Sequence, residues 1–240
     1  RFHLSRTWKY IFDGRVNTSN DPLAYGEATK KLLDDADGQP FFLQINVGTP
    51  HRPFSAHLKH FKGEMPDTNK IYVPPFLADT EEMRKDLQKY YACVELYDQS
   101  TGEVLQALKA AGIYDDALII ATADQGMAYH RAKASAYYAG THIPMVISGP
   151  GFQQNIVSDE LVSLIDLMPT ILDYFNIEKP ENIQGKSLMP VLTGESKEIE
   201  GRDFIFTEHN SHGPARAEFY PSRAIYDGRY YYIKNLYPAK

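Results

Sequence analysis

Three short apolar runs, each ending in a loop of turn-forming or ionisable residues, constrain this chain more than anything else in it. Phe41-Phe42-Leu43-Gln44-Ile45-Asn46-Val47 is nearly continuous in apolar side chains, and Gly48-Thr49-Pro50-His51-Arg52-Pro53-Phe54 follows at once. Ala117-Leu118-Ile119-Ile120-Ala121-Thr122 runs into Ala123-Asp124-Gln125-Gly126, and Pro144-Met145-Val146-Ile147-Ser148 closes on Gly149-Pro150-Gly151. Runs of this length, rich in β-branched residues and bounded by turn residues, read as buried strands. Helical patterns lie between and around them. Ala24 to Asp35 reads as a short helix. A much longer one starts at Asp79, a cap with Glu82 three residues on. It continues through Leu87, Tyr91, Val94, Tyr97, Thr101, Leu105 and Leu108 and stops at Gly112, with Gly102 marking a bend. Leu161 to Phe175 reads as a third helix, restarted near Pro169. Strands alternating with helices predict an α/β body.

The character changes after Pro190. Phe204-Ile205-Phe206, Arg223-Ala224-Ile225-Tyr226 and Tyr230-Tyr231-Tyr232-Ile233 read as short strands, with Asp227-Gly228 as a hairpin turn. The expected division is an α/β part over residues 1–195 and a small antiparallel β subdomain over 196–240.

At 240 residues, 43% hydrophobic and 23% charged, the composition is that of a globular protein with a sizeable core. It excludes a disordered chain, a collagen and a coiled coil. Lys+Arg 25 against Asp+Glu 31 leaves a net charge of −6, which does not suit coating nucleic acid or an acidic membrane. An anionic substrate would need a local cluster of cations or a metal. The single cysteine, Cys93, excludes an internal disulfide framework and a Cys-rich zinc site. No apolar run reaches the ~18–20 residues of a membrane-spanning helix. The chain begins at Arg1 rather than Met, so an upstream segment is expected.

In an open α/β sheet, ligands bind beyond the carboxyl ends of the strands. The loop after the first run holds His51; the loop after the second holds Asp124 and, nine residues on, Lys133. A carboxylate, a histidine and a lysine at one sheet edge suit a metal and an anion. Asp124 offers a hard oxygen ligand for Ca²⁺ or Mg²⁺, and Gln125 a carbonyl oxygen. Lys133 can neutralise a sulfate or phosphate oxygen. His51 can bind the same anion or protonate a leaving oxygen.

Six segments, in order, also resemble the formylglycine-dependent sulfatases of the alkaline-phosphatase-like superfamily. Ala121-Thr122-Ala123-Asp124-Gln125-Gly126 is similar to their S/T-S-D-H/N-G segment. Lys133-Ala-Ser-Ala-Tyr-Tyr-Ala-Gly140 is similar to their K-x-x-x-Y-x-x-G segment, and Gly149-Pro150-Gly151 to the end of the strand after it. Leu161 to Asp173 resembles their next helix, Pro50-His51-Arg52-Pro53 their P-H-x-P loop, and Gln184-Gly185-Lys186-Ser187-Leu188 their G-x-S-L segment. Tyr72 to Thr80 and Tyr220 to Tyr226 are closest to the heparan N-sulfatase-like branch.

The resemblance implies an alkaline-phosphatase-like mixed or parallel sheet flanked by helices, with a small C-terminal antiparallel sheet. It implies hydrolysis of sulfate esters or sulfamates on a sulfated oligosaccharide or polysaccharide such as a glycosaminoglycan, outside the cytoplasm. Carried over by position, Asp124 and Gln125 are metal ligands for Ca²⁺, with Mg²⁺ possible, and Lys133 and His51 are catalytic. His209 and His212, in an expected polar insertion, and Arg223 are substrate-binding. Glutamine stands where Asn or His is usual, and Gly48-Thr49 stands where sulfamidase-type loops read His-Asp.

The family's C/S-x-P-x-R maturation signal fits no residue here: Cys93 lies in Ala92-Cys93-Val94-Glu95. The formylglycine nucleophile is therefore expected upstream, on an N-terminal part of the same domain, with this chain the C-terminal part. Two alternatives stay open: a phosphate-ester hydrolase of the same superfamily, and a non-catalytic fragment that binds sulfated glycan.

Overall fold

The structure, a computed structural model, describes residues 16, 18–212 and 219–237. Backbone contacts group residues 1–116 and 117–240 into two compact units.

In the first unit, helix α1 spans Pro22–Ala36. Asp21 caps it, its carboxylate accepting the Leu23 N–H, with proline at the first position, where a missing N–H costs nothing. It packs on α2, Glu81–Ala110, a helix of 30 residues that runs through Gly102 as one element. The cap of α2 is Thr80 rather than Asp79. Thr80 has the extended backbone a cap needs, and its Oγ1 accepts the Met83 N–H at 3.2 Å. Asp79 instead holds Arg84 with both oxygens, at 2.5 and 2.7 Å. Arg84 in turn donates to the carbonyls of Thr68 and Ile71, tying the long preceding loop to the helix.

The buried stripe of α2 is Leu87, Ala92, Cys93, Leu96, Ser100, Val104, Ala107 and Leu108. Only Leu87 and Leu108 come from the expected stripe; Val94 is exposed and Leu105 half-buried. Large apolar residues drew the expectation toward a neighbouring face. The inward one mixes small residues, Ala92, Cys93, Ser100 and Ala107, with Leu87, Leu96, Val104 and Leu108.

Residues 41–47 form no strand. Phe41 and Phe42 are exposed, Phe42 at 66%. An apolar run becomes a strand only when a neighbour takes up its backbone hydrogen bonds, and no described residue does so here.

In the second unit, β1 (Ile119–Thr122) and β2 (Met145–Ser148) pair antiparallel, with Ile120 opposite Ile147 and Thr122 opposite Met145. Among the described residues no parallel pair forms. The connection between them carries the short helix α3, Tyr138–Thr141.

The expected third helix is a 3₁₀ turn, Leu164–Asp166, running into α4, Leu167–Tyr174. Ser163 and Asp166 form a reciprocal capping box at the turn. Pro169 sits in the first turn of α4, where proline is tolerated, so no break occurs there. Helix α5 covers Met189–Thr193.

Strands β3 (Ile205–Ser211), β4 (Phe219–Tyr226) and β5 (Tyr231–Asn235) form the expected antiparallel sheet in the order β3-β4-β5. The β4–β5 turn is four residues long, since Tyr226 pairs with Tyr231. The Asp227 carboxylate accepts the N–H groups of Arg229 and Tyr230, which holds that carboxyl below its ordinary pKa.

Candidate active site

At the end of β1 the Thr122 hydroxyl donates to the Pro144 carbonyl at 2.9 Å, fixing where the chain leaves the strand. The next residues fold tightly against the segment 132–140. Gly126 N–H donates to Gly140 O at 2.9 Å. A Cβ on Gly126 would lie 1.9 Å from Ala139 O, and one on Gly140 would lie 2.2 Å from Ala132 O. Both positions need glycine because backbone meets backbone there.

This packing carries Lys133 back toward Asp124 and Gln125. Met127 O accepts the Lys133 N–H at 2.9 Å, and Gln125 Oε1 accepts the Ala134 N–H at 3.4 Å. Arg131 and Ala134 adopt left-handed backbone, φ 59° and 58°, which tightens the turn. Asp124 is exposed; Gln125 and Lys133 are half-buried. Asp124, Gln125 and Lys133 are thus brought together by one small, backbone-packed turn.

His51 belongs to the first unit. Its ring is exposed, and Nδ1 lies 2.5 Å from the Arg52 carbonyl, an acceptor, so Nδ1 carries the proton and Nε2 is left for a ligand. Arg52 is held by a fork on Asp86, at 2.5 and 3.3 Å, and lies 4.2 Å from the Phe54 ring centre. Behind His51 sits buried His57, whose Nε2 is 2.9 Å from His51 O. Burial, helped by His51, His60 and Lys59 nearby, pushes the His57 imidazole below its ordinary 6.5, so it is neutral at pH 7.

His209 is not in a polar insertion. It lies within β3 opposite Ser222, where alternating half-buried and exposed residues pair with β4 up to a register shift at Ser211. Arg223 lies opposite Glu208, one register position away. Adjacent positions on a strand face opposite sides of the sheet, so His209 and Arg223 are not brought together. Arg223 is engaged by Glu208 at 3.2 Å and by Asn210 Oδ1 at 3.0 Å. His212 is exposed just beyond β3.

Among the described residues no three His, Cys, Asp or Glu side chains cluster closely enough to hold a metal. Asp124 and Gln125 are hard oxygen donors of the kind Ca²⁺ prefers, but they fill only part of a shell of about six to eight oxygens.

Residues 5–177 match the family model described as Sulfatase. The chain belongs to the sulfatase family. Residues 130–239 of this sulfatase chain also match the model described as N-sulphoglucosamine sulphohydrolase, C-terminal. Human N-sulphoglucosamine sulphohydrolase is 31% identical over 237 residues, covering 86% of this chain and 46% of that protein. Bovine arylsulfatase K is 39% identical over 166 residues, covering 67% of this chain and 28% of that protein. The chain therefore spans less than half the length of these relatives.

Among solved structures, a phosphonate monoester hydrolase from Silicibacter pomeroyi aligns with a TM-score of 0.72 at 24% identity, covering 98% of this chain and 61% of that one. A 2-O GAG sulfatase aligns with a TM-score of 0.71 at 23% identity, covering 94% and 56%. At these identities the likeness shows the alkaline-phosphatase-like fold. What sequence reading missed in the sulfatase chain is the support behind His51. His57, Asn20 and Tyr25 carry no motif, and only the fold brings them to that loop.

Proposed function

We propose that the protein to which this chain belongs hydrolyses sulfate esters or sulfamates on a sulfated polysaccharide, with a heparan-type glycosaminoglycan as the leading substrate class. One observation carries the reading. The Met127–Lys133 and Gln125–Ala134 hydrogen bonds fold the backbone of Lys133 back toward Asp124 and Gln125, a cation and two hard oxygen donors within one turn after a strand. An anionic sulfuryl group that gathers charge as it reacts needs that combination.

In this reading Asp124 and Gln125 would hold Ca²⁺, which when bound supplies positive charge against the sulfate oxygens. Gln125 Oε1 has two lone pairs and gives one to the Ala134 N–H, so one is left for a cation. Lys133 has no side-chain hydrogen bond or ion pair among the described residues, and its ammonium is available to a sulfate oxygen. His51 is assigned by its P-H-x-P loop to an anion contact or to the acid that protonates the leaving oxygen or nitrogen, with Nε2 as its free ring nitrogen. Arg223, His209 and His212 are assigned to the sugar, although only one of the first two can face it across the sheet. The formylglycine nucleophile is assigned to a part of the protein preceding this chain. No helix among the described residues is long and apolar enough to cross a membrane. Work outside the cytoplasm, where such polysaccharides lie, completes the reading.

The test is sulfate release by the full-length protein from N-sulfated and O-sulfated glucosamine, with a phosphate monoester as the competing substrate. Sulfate release that collapses by about 10²–10³-fold in Lys133→Ala, with the fold intact, supports the reading. Preferential phosphate turnover, or a Lys133→Ala variant with normal sulfate release, removes it.

A further inference from the structure

We propose that His57 is a positioning residue for His51, acting through a clamp with Asn20 and Tyr25 that grips both ends of the Gly48–His51 turn. The proposal rests on the reading above, in which His51 works at the reacting group.

The clamp is a closed circuit. At one end of the turn, His57 Nε2 lies 2.9 Å from the His51 carbonyl. At the other, the Gly48 N–H donates to the Tyr25 hydroxyl at 3.2 Å. Asn20 joins the two arms: its Nδ2 lies 3.0 Å from His57 Nδ1, and its Oδ1 accepts from the Tyr25 hydroxyl at 3.4 Å. The turn itself closes through the His51 N–H on Gly48 O at 3.1 Å.

Each polar atom in the circuit has one consistent role. A carbonyl only accepts, so His57 Nε2 carries the proton. Nδ1 is then a lone pair that accepts from the Asn20 amide, which fixes that amide's orientation and leaves Oδ1 for Tyr25. The circuit therefore requires one tautomer and a neutral ring. The groups facing His57 are His51, His60, Lys59 and Asn20, with Asp21 turned to His60 at 3.5 Å. None is a carboxylate aimed at the ring. His57 is 7% exposed and Tyr25 5%, so water does not compete for these bonds.

Gly48 is part of the fit. A Cβ there would lie 2.3 Å from Asn20 Oδ1, so the carboxamide occupies the space a side chain would take. His51 itself stays exposed; the clamp grips only its backbone, and its ring meets the Arg52 carbonyl through Nδ1. A buried framework holding the backbone of an exposed, ligand-facing side chain fixes direction without consuming the ring's own chemistry.

The full-length protein is assayed for sulfate release as wild type, His51→Ala, His57→Leu, His57→Gln and Tyr25→Phe. His57→Leu is expected to lower kcat roughly tenfold to a hundredfold with little change in KM, because a misdirected His51 loses transition-state contact. His57→Gln, which can donate from nearly the same point, is expected to restore most of kcat. Tyr25→Phe, which keeps the packed ring, should lower kcat by a smaller factor and serves if His57→Leu does not fold.

Ring ¹H–¹⁵N spectra of His57 should show the proton on Nε2 at pH 7, and Asn20→Ala should move the Nδ1 shift. A His51→Ala variant that loses turnover beside a folded His57→Leu or Tyr25→Phe variant with normal kcat overturns the clamp alone. A proton on Nδ1 of His57 does so too. Normal turnover in His51→Ala overturns the underlying reading, and the clamp's purpose with it.

Discussion

Arg202 donates to Asp166 at 2.5 Å where the Asp166 side chain is fully buried and that of Arg202 is 9% exposed. Asp166 also accepts the N–H of Ser163 and of Lys186, each at 2.8 Å. One carboxylate thus joins the start of α4, the segment 184–188 and the approach to β3. Thr170, four residues on, passes the Asp166 carbonyl to the Leu188 N–H through its hydroxyl.

Removing Asp166 should therefore cost more than removing Arg202. Asp166→Ala leaves a buried guanidinium and two backbone N–H groups without their acceptor, and about 3–5 kcal/mol is expected. Arg202→Leu leaves a carboxylate that keeps both N–H donors, so a smaller loss is expected. Urea unfolding of the two variants gives the order directly; equal losses would mean the ion pair alone matters.

The shifted stripe of α2 makes a second contrast. Leu96 is fully buried, whereas Leu105 is half-buried. Leu96→Ala should lose roughly 2–5 kcal/mol, the range for truncating a core leucine, and Leu105→Ala clearly less. Thermal melts of both variants check the order.

That contrast also shows what sequence reading can and cannot reach. Helix α2 was legible from its spacing, and β1, β2 and the C-terminal sheet from short apolar runs and turn residues. The face of α2 was not, because periodicity locates a stripe only to within a residue when small residues line the contact. The run at 41–47 reads as a strand by composition, yet strand formation is decided by partners that composition does not contain. At the site, Asp124 and Lys133 stood out because strand ends are where α/β proteins place chemistry. The polar stretch around His209 read as a loop because three of its five residues are charged or histidine, while its pairing to β4 is a tertiary fact.

Cys93 is fully buried, and its Sγ lies 3.7 Å from Phe54 O. Burial pushes the thiol from 9.0 up to about 11. Because the folded state holds the proton more tightly than the unfolded one, stability should be full below pH 9.0 and fall as the pH rises toward 11. At pH 8 the thiol should resist alkylation in the native protein and react on unfolding. Rapid labelling of native protein, timed against a circular-dichroism signal that does not change, would contradict this burial.

The backbone contact between Gly126 and Gly140 predicts a substitution effect opposite to one elsewhere in the chain. Gly126→Ala drives a Cβ to within 1.9 Å of Ala139 O, and backbone cannot rotate away as a side chain can. A loss of about 1–3 kcal/mol is expected. Part of it should appear locally, as faster amide exchange at Lys133 and Ala134, whose N–H groups bond to Met127 O and Gln125 Oε1. Gly102 supplies the control. It sits within α2 with nothing inside 4 Å of its Cβ position, so Gly102→Ala should gain about 0.5–1 kcal/mol from helix propensity. Thermal unfolding and hydrogen exchange on both variants separate the two effects. If Gly126→Ala melted like wild type with unchanged exchange at Lys133, the turn that brings Lys133 toward Asp124 would not depend on that contact, and the positional argument for Lys133 would lose its basis.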